Sequence, residues 1–357
     1  MRKKIFIMAT LLSLVVQLNM SMSASGREYN PFGPAIRTVR PEVELVLEGT
    51  PLFRVSTDEA PLSYLLACAY DSLLVVSLDK SEYVAGVFDI DRGELLGKYI
   101  RKGRGPKELL SFSSAHQIRF KGDSLYLNGM DVSGQNSFVS FNVTAAVQDG
   151  ETILRRLGKF IPVTLNAREA DDSTNMYYRL ADNTMVLERY TRDGLLLGSW
   201  KLFPDIPMNY FSIMSFGLAL NGEGTKAAIA MSAYPCLNIL DLSTGERESV
   251  TFARRTDFES VYDTYRSSFT YPDITSCCGV FTFGDCVCVR TDNVGEGSGD
   301  AKSALLVFDW EGNLEYRLLI SEDLATYGTV FDPVRRKMYC CTEDDDTLYS
   351  YDLSEYL

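Results

Sequence analysis

A single histidine, His116, stands in a chain of 357 residues, so any mechanism that needs an imidazole must pass through that one position. A Ser-His-Asp triad also needs a nucleophile and an orienting carboxylate within reach of the base, and no pattern in the sequence supplies them. There is no P-loop, no dinucleotide fingerprint and no zincin helix. The cysteines occur as adjacent pairs and a C-x-C rather than as C-x-x-C knuckles, so no zinc site is assigned and no metal ligand is named. Beyond the N terminus no run is long and apolar enough to span a bilayer. No basic stripe offsets a formal charge of −13, which makes nucleic acid and anionic membranes poor partners. Amphipathic helical periodicity is nearly absent too, which leaves β structure.

The first residues are of a different kind. Arg2, Lys3 and Lys4 precede an apolar run from Ile5 to Val16, followed by the small residues Ser21, Ser23, Ala24, Ser25 and Gly26. These are the parts of a secretory signal peptide, and the run falls short of the about 20 residues that a membrane span needs. The expected organisation is a signal peptide over 1–24, a flexible leader over 25–41 and one domain over 42–357. Loss of the three basic residues of the leader takes the charge from −13 to −16. The first cysteine is Cys68, so no lipid can be attached at the cleavage point and the chain is expected as an exported, periplasmic or extracellular monomer, not a lipoprotein. Eight cysteines in an exported chain raise the question of disulfides. Cys68, Cys236, Cys286, Cys288 and Cys340 sit inside apolar strand-like runs, where free cysteine behaves as a small hydrophobe, and mostly unpaired core thiols are expected. Bridges among the later cysteines are the alternative.

The remaining chain is long for one core, and a repeat architecture removes that difficulty; the 19 Phe and 20 Tyr of the whole sequence fit a β protein. Tight polar turns recur before β-rich runs: Asp71-Ser72, Gly122-Asp123, Asp182-Asn183, Gly222-Glu223-Gly224, Gly284-Asp285 and Arg335-Arg336. A second motif follows each of them, an apolar strand ending in Asp or Asn, a turn often containing Gly, and another strand. It reads FDIDRGELLGKYI from Phe88, FNVTAAVQDGETILRRL from Phe141, LDLSTGERESVTF from Leu240 and FDWEGNLEYRLLI from Phe308. The third unit is the weakest. Two hairpins per unit predict an all-β, six-bladed β-propeller of four-stranded antiparallel blades. The last unit lacks a fourth strand, and VELVLEG (43–49) is expected to close it from the N terminus, removing two exposed edges.

The segment GRGPKE, Gly103 to Glu108, resembles the G-x-G-P-x-E signature of TolB-like six-bladed propellers of exported Bacteroidetes proteins. That resemblance implies the fold and little about activity; many of those relatives carry a lipid-attachment cysteine, which this chain lacks. Physically, two glycines and a proline fix a sharp turn. It reads first as a linker into the second blade, with Arg104 as a candidate anion contact at the mouth of the ring.

His116 lies seven residues before the turn residue Asp123, in a run expected as an innermost strand. The same offset before other turns selects Tyr64, Asn175 and Cys278 as residues that could ring the central channel, either as ligand contacts or as a polar lining holding water. Asp292, Asn293, Glu296 and Asp300 lie among glycines in a composition that can hold calcium, although the spacing is not that of an EF-hand and a solvated connection is the simpler reading. Calcium is therefore the one cofactor considered. The EDDD run from Glu343 to Asp346 is expected as an exposed hairpin turn, and Asn142-Val143-Thr144 matches a glycosylation acceptor. The function expected is a binding or scaffolding propeller that recognises a protein, peptide or glycan through one face. The alternative is a metal-assisted hydrolase or lyase, lactonase-like, at the channel mouth.

Overall fold

The computed structural model describes residues 36–357 apart from 56–61, 79–80, 132–136, 160–163, 170–172, 182–183, 192, 203–215, 233–234, 253–275, 293–302, 321, 323 and 343–345. It describes the backbone but not the side chains of 62–65, 113–117, 120, 158–159, 164–169, 179–181, 184, 216, 276 and 325–327. The segment expected as signal peptide and most of that expected as leader lie outside the described residues.

Three short strands open the structure: β1 (Arg37–Thr38), β2 (Val43–Leu47) and β3 (Thr50–Arg54). Six sheets follow in chain order. Blade 1 is β4 (Leu62–Tyr70), β5 (Leu73–Leu78), β6 (Tyr83–Asp89) and β7 (Glu94–Arg101). Blade 2 is β8 (Ser113–Lys121), β9 (Ser124–Asp131), β10 (Ser137–Asn142) and β11 (Leu154–Lys159), with helix α1 (Val143–Asp149) before its last strand. Blade 3 is β12 (Thr164–Glu169), β13 (Thr174–Ala181), β14 (Thr184–Thr191) and β15 (Leu196–Lys201). Blade 4 is β16 (Phe216–Leu220), β17 (Lys226–Met231), β18 (Cys236–Asp241) and β19 (Arg247–Thr251). Blade 5 is β20 (Ser276–Phe283), β21 (Cys286–Asp292), β22 (Ser303–Phe308) and β23 (Leu314–Ile320). Blade 6 is β24 (Leu324–Asp332), β25 (Lys337–Thr342) and β26 (Thr347–Asp352). The chain is a six-bladed β-propeller, as the repeat predicts.

Closure uses a different strand from the one expected. Val43–Leu47 pairs in parallel with β23 and becomes a fifth, outermost strand of blade 5. The strand that completes blade 6 is β3, antiparallel to β26, with Arg54 opposite Thr347 and Thr50 opposite Ser350. Within the stretch expected as flexible leader, Arg37–Thr38 pair in parallel with the outer edge of β19. The N-terminal chain is thus a strap that caps blade 4, then blade 5, and then enters blade 6. Pro51 disguises β3 as a non-strand, but an outermost strand has a free side on which a missing N–H costs nothing.

The core is a ring of seams between blades, because alternate residues of each strand face opposite neighbours. On β5, Val75 joins the seam with blade 2, whereas Leu74, Val76 and Leu78 join the seam with blade 6. All eight cysteines are free thiols; six are buried, and Cys68, Cys277, Cys288, Cys340 and Cys341 pack in these seams. Burial pushes the Cys68 thiol up to about 12, as expected of a thiol held protonated in apolar surroundings.

The turns between third and fourth strands explain the second motif. Asp89 Oδ1 accepts from the Asp91 and Arg92 amides, Asp241 Oδ1 from Ser243 and Thr244, and Asp309 Oδ1 from Glu311 and Asn313. The glycines that follow, Gly93, Gly245 and Gly312, take positive φ, which an L side chain resists. In blade 2 the equivalent Asn142 does the same work for a helix: its Oδ1 accepts from the Ala145 amide as the N-cap of α1. The asparagine of the glycosylation triplet is therefore buried and occupied.

Candidate functional site

Strand direction divides the ring into two unlike ends. At the turn end lie the connections from first to second and from third to fourth strands, nearly all of them tight. At the loop end, inner strands begin, the chain crosses from blade to blade, and second strands hand over to third. The long connections 202–215, 252–275 and 293–302 all leave from this loop end, as the strands that anchor them dictate.

The turn end is laced shut between neighbours. Arg335, in the first turn of blade 6, donates to both Asp91 carboxylate oxygens at 2.6 and 2.7 Å and to Asp71 at 3.2 Å, both in turns of blade 1. Hydrogen bonds from the Arg335 guanidinium hold the Asp91 carboxyl below its ordinary range. Lys226 of blade 4 donates to Glu311 of blade 5 at 3.0 Å. Arg37 of the strap donates to Glu248 at 2.9 Å and to Asn313 at 3.0 Å, spanning blades 4 and 5. Individually such exposed pairs contribute about 0–1 kcal/mol. Together they fix the relative placement of the turns of blades 6 and 1 and of blades 4 and 5.

At the loop end, GRGPKE is a self-tied turn. The Glu108 carboxylate folds back to accept from the Gly105 amide at 2.8 Å, and the Gly103 amide donates to the Leu109 carbonyl at 3.1 Å. A Cβ on Gly103 would overlap that carboxylate, which accounts for the first glycine. Arg156 of β11 then donates to the Glu108 carbonyl at 3.1 Å, to Ser137 at 2.7 Å and to Asp131 at 3.2 Å, fastening the turn to blade 2. The linker role is thus built into the geometry. Arg104 projects from it and is exposed.

The most complete polar network lies deeper, between blades 5 and 6. Arg290 of β21 has about 1% of its surface exposed. It donates to Thr329 at 2.8 Å and to the Leu324 carbonyl at 3.2 Å, both on β24 of blade 6. It also donates to Asp292 at 3.2 Å. Ser303 and Cys278 donate to the two oxygens of the same carboxylate, each at 2.7 Å. Three donors on one carboxylate leave it little capacity to act as a general base or to take a metal ion, and give it an evident role as a knot at the start of blade 5. Sequence reasoning missed Arg290. Its signal was an arginine inside the otherwise apolar run CVCVR, a position that burial tolerates only with full pairing.

The expected channel residues separate. Tyr64, His116 and Cys278 lie on the innermost strands β4, β8 and β20 of blades 1, 2 and 5. The side chains of Tyr64 and His116 are outside the described residues. Asn175 is on β13, the second strand of its blade, not the innermost one. The turn Asp182-Asn183 joins second and third strands there, so an offset counted from it lands one strand too far out. Asn175 is buried and hydrogen-bonds the Tyr177 phenol. Burial pushes that phenol above its ordinary range. Tyr177 meets Tyr190 edge-on with ring centres 5.5 Å apart, and Tyr190 donates to Glu188 at 2.9 Å. Tyr64, His116 and Cys278 thus keep the inner-strand positions expected of them, Arg104 lies on the linker between blades 1 and 2, and Asn175 lies one strand further out. Of the segment from Asp292 to Asp300, only Asp292 is among the described residues, and of the EDDD run only Asp346, which takes positive φ between β25 and β26. Among the described residues no group of three or more His, Cys, Asp or Glu side chains could hold a metal ion. No helix among them is long and apolar enough to cross a membrane.

No family model matches the chain, and no curated protein matches it in sequence. Solved structures do. A Bacteroides fragilis protein described as exported aligns with a TM-score of 0.53 at 13% identity, over 89% of this chain and 99% of its own. A member of the DUF4221 family from Bacteroides vulgatus aligns with a TM-score of 0.54 at 12% identity, over 86% and 97%. At such identities the likeness shows the shared fold. It agrees with the expected architecture.

Proposed function

We propose that this chain is an exported propeller of the TolB-like kind, directed out of the cytoplasm by its first 24 residues, that binds a protein, peptide or glycan partner at the loop end of the ring. The observation that supports this reading is the contrast between the two ends. The turn end ties neighbouring blades together through ion pairs, and its long connection 143–153 is taken up by α1; the connections 202–215, 252–275 and 293–302 leave from the loop end. Function in rigid scaffolds concentrates in such connections. The composition of the connections fits recognition: 252–275 carries Phe258, Tyr262, Tyr265, Phe269 and Tyr271, together with Arg254, Arg255 and Arg266. Aromatic residues and arginine are the types that dominate binding energy at interfaces and stack on sugars and peptides. Asp292, at the loop end of β21, already accepts from Arg290, Ser303 and Cys278, which favours recognition over a metal-assisted hydrolysis through that carboxylate.

The test uses two variants of the whole chain, probed on glycan and peptide arrays. Tyr262→Ser, Tyr265→Ser and Phe269→Ser together should weaken any specific binding by about tenfold or more. Asp193→Lys with Glu223→Lys, in turns at the opposite end, should leave it unchanged. Binding lost only in the second variant, or no specific binding to either array by the unaltered chain, would count against the reading.

A further inference from the structure

The fourth strands of blades 1 and 3 are built alike. Leu95, Leu96 and Gly97 on β7 match Leu196, Leu197 and Gly198 on β15, and a Cβ on either glycine would overlap the aromatic ring two residues on, Tyr99 or Trp200. Both strands carry a β-bulge at the second leucine: Phe88 lies opposite Leu95 and Val87 opposite Gly97, as Tyr190 lies opposite Leu196 and Arg189 opposite Gly198. A bulge breaks the alternation of a strand, so consecutive side chains can emerge together. Their neighbours differ. Blade 1 has Glu94 and Lys98 on either side of its leucines, charges of the kind that protect an edge, and Leu95 packs into the seam with blade 6. Blade 3 has Leu195 and Ser199 at the same positions.

The result is an apolar rim. Leu195, Leu196 and Leu197 are 65%, 47% and 53% exposed, against 37% for Leu96. Among the described residues no strand pairs with the free side of β15. The rim is also held in place. The Leu195 amide donates to the Thr191 hydroxyl at 3.0 Å, and the Leu195 carbonyl accepts from the Thr191 amide at 2.9 Å. A rim fixed in this way has little freedom left to lose when something packs on it. Exposed charges stand at both ends, Asp193 four residues before Leu197 and Lys201 four residues after it.

We propose that the rim is a homodimer contact: two copies of the chain pack Leu195, Leu196 and Leu197 together about a two-fold axis near Leu197, with Asp193 of each copy beside Lys201 of the other. The occupant is a second copy because the rim is self-complementary. Antiparallel apposition brings unlike charges together twice and leucine onto leucine, the repeated pairing that two-fold symmetry requires. A lipid surface would have to accept Asp193 and a chain whose formal charge is −13. The bulge bends β15 at the centre of the rim, so the contact runs through side chains and does not extend the sheet. Three leucines a side make a small interface, and small interfaces are transient. The protein is therefore a weak dimer, in place of the monomer expected from its sequence.

Sedimentation equilibrium of the full protein tests this. The parent should shift from monomer to dimer between about 1 and 100 µM, the range of weak association through a small area. Leu195→Glu with Leu197→Glu should remain monomeric throughout. Asp193→Lys, or Lys201→Asp, should weaken association by about fivefold or more, because each reversal puts like charges together at both contacts. The two reversals combined should restore it, which a folding defect cannot imitate. A parent that stays monomeric to about 100 µM, as it would if the chain's own N-terminal residues or a lipid surface took the rim, overturns the proposal. So does a dimer that survives the glutamates, or a double reversal no better than either single one. Arrays probed at nanomolar concentration read single rings, so this test and that of the loop end are independent.

Discussion

Replacing Arg290 by methionine should lower the melting temperature of the protein by about 6–10 °C, because removing one partner of a buried ion pair costs about 3–5 kcal/mol and a chain of this size shifts on the order of 2 °C per kcal/mol. The methionine fills much of the volume, so the loss comes from groups left behind. Thr329, the Leu324 carbonyl and one oxygen of Asp292 would each lose a donor in a seam that water does not reach. Those partners lie on blades 5 and 6, so the variant should also loosen that seam, which exchange of the Leu305 and Met338 amides would report. Removing both charges, Arg290→Met with Asp292→Val, should recover part of the loss, since an apolar replacement of a whole buried pair is often nearly neutral. A single variant that melts within about 2 °C of the parent would show that the pairing contributes little.

The second expected result concerns closure. Gly49→Val should destabilise the ring by about 1–3 kcal/mol, the usual cost of forcing extra volume into a packed site. Gly49 carries the strap from blade 5 into blade 6, and a Cβ there would lie 2.7 Å from the Tyr351 ring. That ring has nowhere to go. It is fully buried and its hydroxyl donates to Glu322 at 3.1 Å. The strap must therefore lift, and with it β3, the only fourth strand that blade 6 has among the described residues. Gly49→Ala should cost less, and the order Val over Ala is the signature of crowding rather than of lost backbone freedom. A stability of Gly49→Val equal to the parent, by chemical denaturation, would mean that closure does not run through this contact.

Both results bear on how far the fold could be read before any coordinates. The turn residues were reliable where glycine or aspartate marked a sharp reversal: Asp71 and Gly122 take positive φ in the first turns of their blades, as do Gly224 and Gly284. Blade 3 was misregistered because its first connection, 170–173, contains no glycine, while Asp182-Asn183 one strand later imitates the signal. That slip alone moved Asn175 from an inner strand to the second. Closure was anticipated but assigned to VELVL, whose apolar residues look more like a strand than TPLFR with its proline. Local pattern cannot tell a fourth strand from a fifth, because the difference lies in which distant edge each one meets. The network around Arg290 was invisible for the same reason. Its members, Cys278, Asp292, Ser303 and Thr329, are scattered over four strands, and only the stacking of two blades joins them.

The functional reading turns on whether the ring mouth recognises its partner with side chains alone. It is tested most directly by melting the protein in excess calcium and again in chelator. Binding to the folded state alone raises stability by about 2.7 kcal/mol at a hundredfold excess over the dissociation constant, a shift of several degrees. For a propeller whose Asp292 is already held by arginine, serine and cysteine, the two melting curves should superimpose. A calcium-dependent rise of several degrees would contradict that account and point to a metal-assisted reaction at the channel mouth.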